Sequence, residues 1–218
     1  MIKKILLTIK KSIRDFFYVF SMKALNSLPN NGIVGIIDVG AAGEIEPRWK
    51  QFTKKLNYHG FEPDKRSREI IKNNEKNFNT YKIYSQALGN FEGNKILNLC
   101  RTPEVSSVFR PNRKILNNFP KSERFDILNK INLPVVTLDS LNFKNIDFIK
   151  LDIQGAELEA LEGSKKLLDD ILGIEIEVEF HELYTNQPLF GDICNYLSKF
   201  DIEFIDFLNV ARWERDAH

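Results

Sequence analysis

Three acidic segments each follow an apolar run in a way that could build a binding site. Ile36-Ile37-Asp38-Val39-Gly40-Ala41-Ala42-Gly43 passes from branched residues into residues too small to hold a ligand at a distance. That is how a buried parallel strand becomes a nucleoside- or phosphate-binding loop. Phe61-Glu62-Pro63-Asp64 stands where a second strand should end, and Phe148-Ile149-Lys150-Leu151-Asp152-Ile153-Gln154-Gly155-Ala156-Glu157 repeats the strand-then-loop pattern. Asp38 sits inside its apolar run, where an unpaired carboxylate is costly to bury. It should have a partner, either loop amides or a cationic group on a ligand.

The residue types narrow the ligand. Glu62 follows the glycine loop at about the interval of a ribose-binding acid, as in a dinucleotide fold. However, Gly40–Gly43 lacks the G-x-G-x-x-G spacing, and Glu44 and Glu46 come next. Carboxylates there would repel a pyrophosphate. A ligand with an amino group, a sulfonium and a ribose but no phosphate suits the acids better, and S-adenosylmethionine is such a ligand. A nicotinamide-dependent oxidoreductase and a non-catalytic S-adenosylmethionine-binding protein are the competing readings.

If such a ligand gives up its methyl group, transfer to a protic acceptor requires the acceptor held in line, removal of its proton, and exclusion of water. Asp152, at the end of a strand beside the first segment, is the best candidate to face the methyl donor. Asp152 or Glu157 could orient or deprotonate a hydroxyl, and His181, past the next strand, is the other candidate base. Glu157 reads equally well as a first-turn acid stabilised by its helix dipole. Glu175, Glu177, Glu179 and His181 alternate along one expected strand and so share a face, for which ion pairing is the commoner reason. Asp139, Asp152, Glu157 and His181 carry no metal-ligand spacing, and no metal is expected. Ser107, in the irregular stretch 104–110, and Tyr184, followed by Asn186, Gln187 and Phe190, are expected to face the acceptor.

The elements that must position these residues alternate between strand and helix. Strands are expected at 33–39, 58–61, 81–88, 95–100, 135–138, 147–153, 173–180 and 202–208. Helices are expected at 47–56, 65–76, 157–170 and 191–199. The pattern implies an α/β, Rossmann-like, mostly parallel sheet with helices on both faces. Its ligand lies outside the carboxyl ends of the strands.

Before this domain (32–218), residues 1–31 read as an amphipathic helical extension that breaks at Pro29-Asn30-Asn31-Gly32. Lysines within it argue against a membrane span. It is open to two roles: packing on the domain or on a second subunit, or lying on an anionic membrane surface. Lys+Arg 31 against Asp+Glu 30 gives no global field to attract nucleic acid. Cys100 and Cys194 fit neither a disulfide framework nor a metal site, so a reducing cytoplasm is expected, with peripheral contact at the inner membrane face as the variant.

The chain resembles the FkbM-type family of S-adenosylmethionine-dependent methyltransferases. The resemblance rests on Ile-Asp-Val-Gly-Ala at 37–41, Phe-Glu-Pro-Asp at 61–64, Ala-Leu-Gly-Asn at 87–90, and Ile-Lys-Leu-Asp-Ile-Gln-Gly-Ala-Glu at 149–157 with Leu161-Glu162-Gly163. The loop is one residue shorter than the common family loop and, with Pro47-Arg48-Trp49 following, resembles a shorter-loop subgroup. The resemblance implies that Asp38 and Gly40 hold the amino-acid end of the cofactor, with Ala41 and Gly43 allowing close approach. It implies that Glu62, with Pro63 beside it, receives the ribose hydroxyls, that Ala87 and Leu88 lie by the adenine, and that Asp152 faces the cofactor. The class of acceptor it implies is a hydroxyl on a sugar, a glycan or a secondary metabolite.

Overall fold

The computed structural model describes residues 32–43, 45, 47–50, 52–71 and 77–210. The amphipathic segment 1–31 and the acids Glu44 and Glu46 lie outside the described residues. Five parallel strands form the central sheet: β1 (Val34–Val39), β2 (Leu56–Phe61), β3 (Thr80–Tyr84), β7 (Phe148–Leu151) and β8 (Gly173–Ile176), in the order β3-β2-β1-β7-β8. The chain runs outward from β1 through β2 to β3, then returns to the other side of β1 with β7. The point between β1 and β7 is therefore the topological switch, where open α/β sheets bind ligands.

Period-two alternation separates the two faces of this sheet. Ile37 and Val39 of β1, with Ile149 and Leu151 of β7, enter one core. Ala160, Leu161 and Leu168, from α4 (Glu157–Glu162) and α5 (Lys165–Leu168), close that core together with Ile193 and Leu197 of α6 (Phe190–Leu197). Ile36 and Tyr58 belong to the opposite face, covered by Ile45, Trp49, Phe52, Phe78 and Tyr81.

A second sheet, ordered β4-β6-β5, was not expected. It contains β4 (Ala87–Leu88), β5 (Gly93–Cys100) and β6 (Ile127–Val136). The single strand expected at 81–88 is thus two strands in two sheets, and the strand expected at 135–138 begins instead at Ile127. β5 and β6 pair antiparallel from Gly93↔Val135 to Cys100↔Ile127. The connection between them folds on a separate core of Cys100, Val105, Leu116, Phe125, Leu183 and Tyr184, and includes α3 (Arg113–Leu116).

Four further expectations are corrected. The helix over 47–56 is one turn, α1 (Pro47–Lys50), followed by a 3₁₀ turn at Thr53–Lys55. The helix over 157–170 is interrupted between α4 and α5, where a Cβ on Gly163 would lie 2.0 Å from the Gly89 carbonyl oxygen. β8 stops at Ile176, so Glu177, Glu179 and His181 do not continue one strand face. Residues 202–208 form no strand; instead Phe204 and Phe207 pack on Phe190, and Phe207 also on Phe180. Helix α2 (Lys65–Ile71) matches the start of the helix expected at 65–76; residues 72–76 are outside the described set. No helix among the described residues is long and apolar enough to cross a membrane.

Candidate functional site

The tips of β1, β2 and β7 surround a cavity of about 170 Å³. Asp38, Glu62 and Asp152 all line it, along with Gly40–Gly43, Pro63, Glu104, Lys150 and Gln154. The three separated acidic segments therefore converge on one cleft. At β1 and β7 the convergence depends on Gly40, which has φ +80° and would place a Cβ 1.8 Å from the Asp152 carbonyl oxygen. No side chain fits between those strand tips. The Gly40 and Ala41 amides both donate to the Phe61 carbonyl, at 2.9 and 3.1 Å, which ties the loop to the end of β2.

Asp38 has its partners within the protein. The Tyr58 hydroxyl donates to Oδ2 at 2.7 Å, and Lys150 Nζ donates to Oδ1 at 3.2 Å. Register explains the second contact: Asp38 stands opposite Lys150 in the parallel ladder, so both project from the same face. Lys150 Nζ also lies 3.8 Å from Asp152 Oδ2. Loop amides or a ligand cation were the expected partners; within the protein a tyrosine and a lysine partner it.

The two acids at the end of β2 divide their work. Asp64 lines the cleft but is already bound: it accepts the Arg66 amide at 2.9 Å and pairs with the Arg66 guanidinium at 2.6 Å. Arg66 also donates to the Cys100 carbonyl and to Ser106 Oγ, joining α2 to the second sheet. Glu62 accepts one described hydrogen bond, from the Asp64 amide to Oε1 at 2.7 Å, and lines the cleft. Burial pushes its carboxyl up to about 7, although that amide pulls the other way. An ionised Glu62 therefore gains from any further donor the cleft receives.

The loop after β7 is wired from several sides. Gln154, at φ 58°, donates from Nε2 to Asp152 Oδ1 at 2.9 Å and to Glu177 Oε2 at 2.5 Å. Its carbonyl accepts Ser107 Oγ at 2.7 Å. The Tyr184 hydroxyl lies 2.9 Å from the Val105 carbonyl and 3.0 Å from Gln154 Oε1, with one proton to donate between them. Glu177 keeps part of its surface in solvent, yet burial of its carboxyl and the adjacent Asp152 charge raise it well above the carboxylate range. Glu179 is pushed up to about 7 by burial and then by Asp152.

The remaining sequence candidates lie elsewhere. Glu157 is buried and turned back on its own loop, accepting the Ile153 amide at 2.8 Å and the Gly155 amide at 2.9 Å. Burial raises it to about 7 against those bonds. It holds the loop and does not line the cleft. His181 is exposed and outside the cleft wall. Ser107 and Tyr184, expected to face an acceptor, are each 1% exposed and act on Gln154 from behind. Leu88 belongs to the central core, and Ala87 packs on the core of the second sheet; neither lines the cleft. Among the described residues no His, Cys, Asp and Glu cluster is arranged to hold a metal ion. Sequence reasoning missed Lys150, Tyr58 and Gln154 as cleft residues. Aligning the two strands Ile37-Asp38-Val39 and Ile149-Lys150-Leu151 side by side would have exposed the Asp–Lys pair.

A family model described as Methyltransferase FkbM domain matches residues 38–204. The crystal structure of methyltransferase FkbM from Methylobacillus flagellatus KT aligns with a TM-score of 0.49 at 16% identity. The alignment covers 77% of this chain and 37% of that one, so the chain spans little more than a third of that protein's length. No curated protein matches the chain.

Proposed function

The chain belongs to the FkbM methyltransferase family, and from that premise we propose that it methylates a hydroxyl on a sugar, a glycan or a secondary metabolite, using S-adenosylmethionine. The observation that carries this reading is the gathering of Asp38, Glu62 and Asp152 around one cleft at the switch point of the sheet. The donor set of the described wall is acidic and neutral apart from Lys150, which suits a cationic, phosphate-free nucleoside. When bound, the cofactor supplies a methyl group on a sulfonium: the carbon–sulfur bond breaks as the carbon–oxygen bond forms, and its electron pair stays on sulfur.

This chain's residues bind and orient around that event. Glu62 receives the vicinal ribose hydroxyls, an ionised carboxylate being a strong acceptor for a diol. Asp38, fixed by Tyr58 and Lys150, receives the ammonium of the amino-acid end. Asp152, held by Gln154, takes the acceptor's hydroxyl proton as the new bond forms. Glu157 fixes the backbone on which Asp152 stands.

Calorimetric titration tests the assignment. S-adenosylhomocysteine should bind at one site and NADH should not; the reverse pattern would reassign the cleft to a nicotinamide cofactor. With an acceptor in hand, Asp152→Asn should keep cofactor affinity and lose transfer. Undiminished turnover in that variant would remove Asp152 from the chemistry.

A further inference from the structure

Lys150 is a cation standing in an acidic wall. Of the described residues that line the cleft, Asp38, Glu62, Asp64, Glu104 and Asp152 are acids, and Lys150 alone is basic. Asp64 is already paired with Arg66. The Lys150 side chain is 12% exposed, enough to be reached from the cleft and too little for water to neutralise its charge freely. An ammonium has three donors. Among the described residues, Lys150 Nζ makes one hydrogen bond, to Asp38 at 3.2 Å, and one longer ionic contact, to Asp152 at 3.8 Å.

The pair has a polarity that matches one chemical group. Asp38 and Lys150 stand opposite each other in register and show the cleft a negative and a positive charge side by side. An α-amino acid in its zwitterionic form carries the complementary pair on one carbon. If only carboxylates met such a ligand, its ammonium would be held and its own carboxylate repelled by Asp38 and Asp152. We propose that Lys150 binds the α-carboxylate of the amino-acid end of the cofactor, so that Asp38 and Lys150 together read a zwitterion. This rests on the cofactor assignment above. Burial alone would lower the Lys150 pKa, but Asp38 and Asp152 offset that and leave it raised, so the side chain stays a cation. It is a binding group and not the base of the reaction.

The two halves of the claim separate by removing either the lysine or the ligand's carboxylate. Titrations would compare S-adenosylhomocysteine with its decarboxylated analogue, against wild type, Lys150→Met and Lys150→Arg. The wild type should prefer the intact ligand by about tenfold, the scale of one charge-assisted contact. In Lys150→Met that preference should vanish or invert, because Asp38 and Asp152 then repel the carboxylate without compensation. Lys150→Arg keeps the charge and should keep the preference. Because the readout is the ratio of two ligands on the same preparation, a general loss of folded protein cancels. An equal drop for both ligands in Lys150→Met, or an unchanged ratio, would overturn the assignment and make Lys150 a structural partner of Asp38. Failure of the wild type to bind either ligand would instead overturn the cofactor reading and this inference with it.

Discussion

Glu62 at the tip of β2 and Glu157 at the start of α4 are nearly identical by two measures and opposite by a third. They are 6% and 4% exposed, and both carboxyls are pushed up to about 7, with burial as the largest cause. Their partners differ. Glu157 accepts amides from Ile153 and Gly155 through both oxygens and is consumed by its own loop. Glu62 accepts one amide among the described contacts and opens on the cleft. A raised carboxyl is therefore no mark of function by itself. What separates these two acids is that one opens on the cleft with acceptor capacity to spare and the other is spent on its own loop.

Breaking the structural half should have the largest effect. Glu157→Ala leaves the Ile153 and Gly155 amides without a side-chain acceptor, at about 1–3 kcal/mol for each buried donor. Denaturant unfolding should show a loss of that size, with cofactor affinity falling as a consequence of the displaced loop. A variant of wild-type stability would show that the loop does not need Glu157.

Glu62→Gln should do the reverse, sparing the fold and weakening the cofactor. The sign for pH follows from the raised value. Between the ordinary 4.5 and about 7 the folded protein keeps a proton on Glu62 that the unfolded chain has released. Its contribution to stability therefore declines as pH rises through that window, by up to about 3 kcal/mol. A ligand diol favours the ionised form, so affinity for S-adenosylhomocysteine should rise about tenfold between pH 6 and pH 8. That rise should flatten in Glu62→Gln. A pH profile that the substitution leaves unchanged would place the titrating group elsewhere.

The smallest effect is expected at His181. It is exposed and off the cleft wall, so His181→Ala should change stability by less than about 0.5 kcal/mol and leave cofactor affinity intact. A large fall in methyl transfer with unchanged cofactor binding would restore His181 as a base delivered by the bound acceptor.

The same contrast explains what could be read from residues alone. The three strand tips were legible because apolar runs ending in small or acidic residues are the local signature of buried parallel strands. The roles of individual acids were not, since Glu62 and Glu157 differ in which amides lie nearby and which of them opens on the cleft, and neither shows in the residues themselves. The second sheet was hidden for another reason. β5 was expected at 95–100, but Asn129, Lys130 and Asn132 put poor strand formers into the first part of β6, and antiparallel pairing with β5 overrides that preference. Conversely, 202–208 alternates like a strand but has no partner among the described strands, and its phenylalanines gather on one another. Lys150 escaped because it reads as part of a strand-then-loop motif centred on Asp152, with no alignment against Asp38 to show that the two share a face.

Difference density from crystals soaked with S-adenosylhomocysteine addresses the central claim most directly. The ribose hydroxyls should lie within hydrogen-bond distance of Glu62, and the amino-acid end should lie against Asp38 at the Gly40–Gly43 loop. Density for the nucleoside on any other surface, with that cleft left to solvent, would contradict the account.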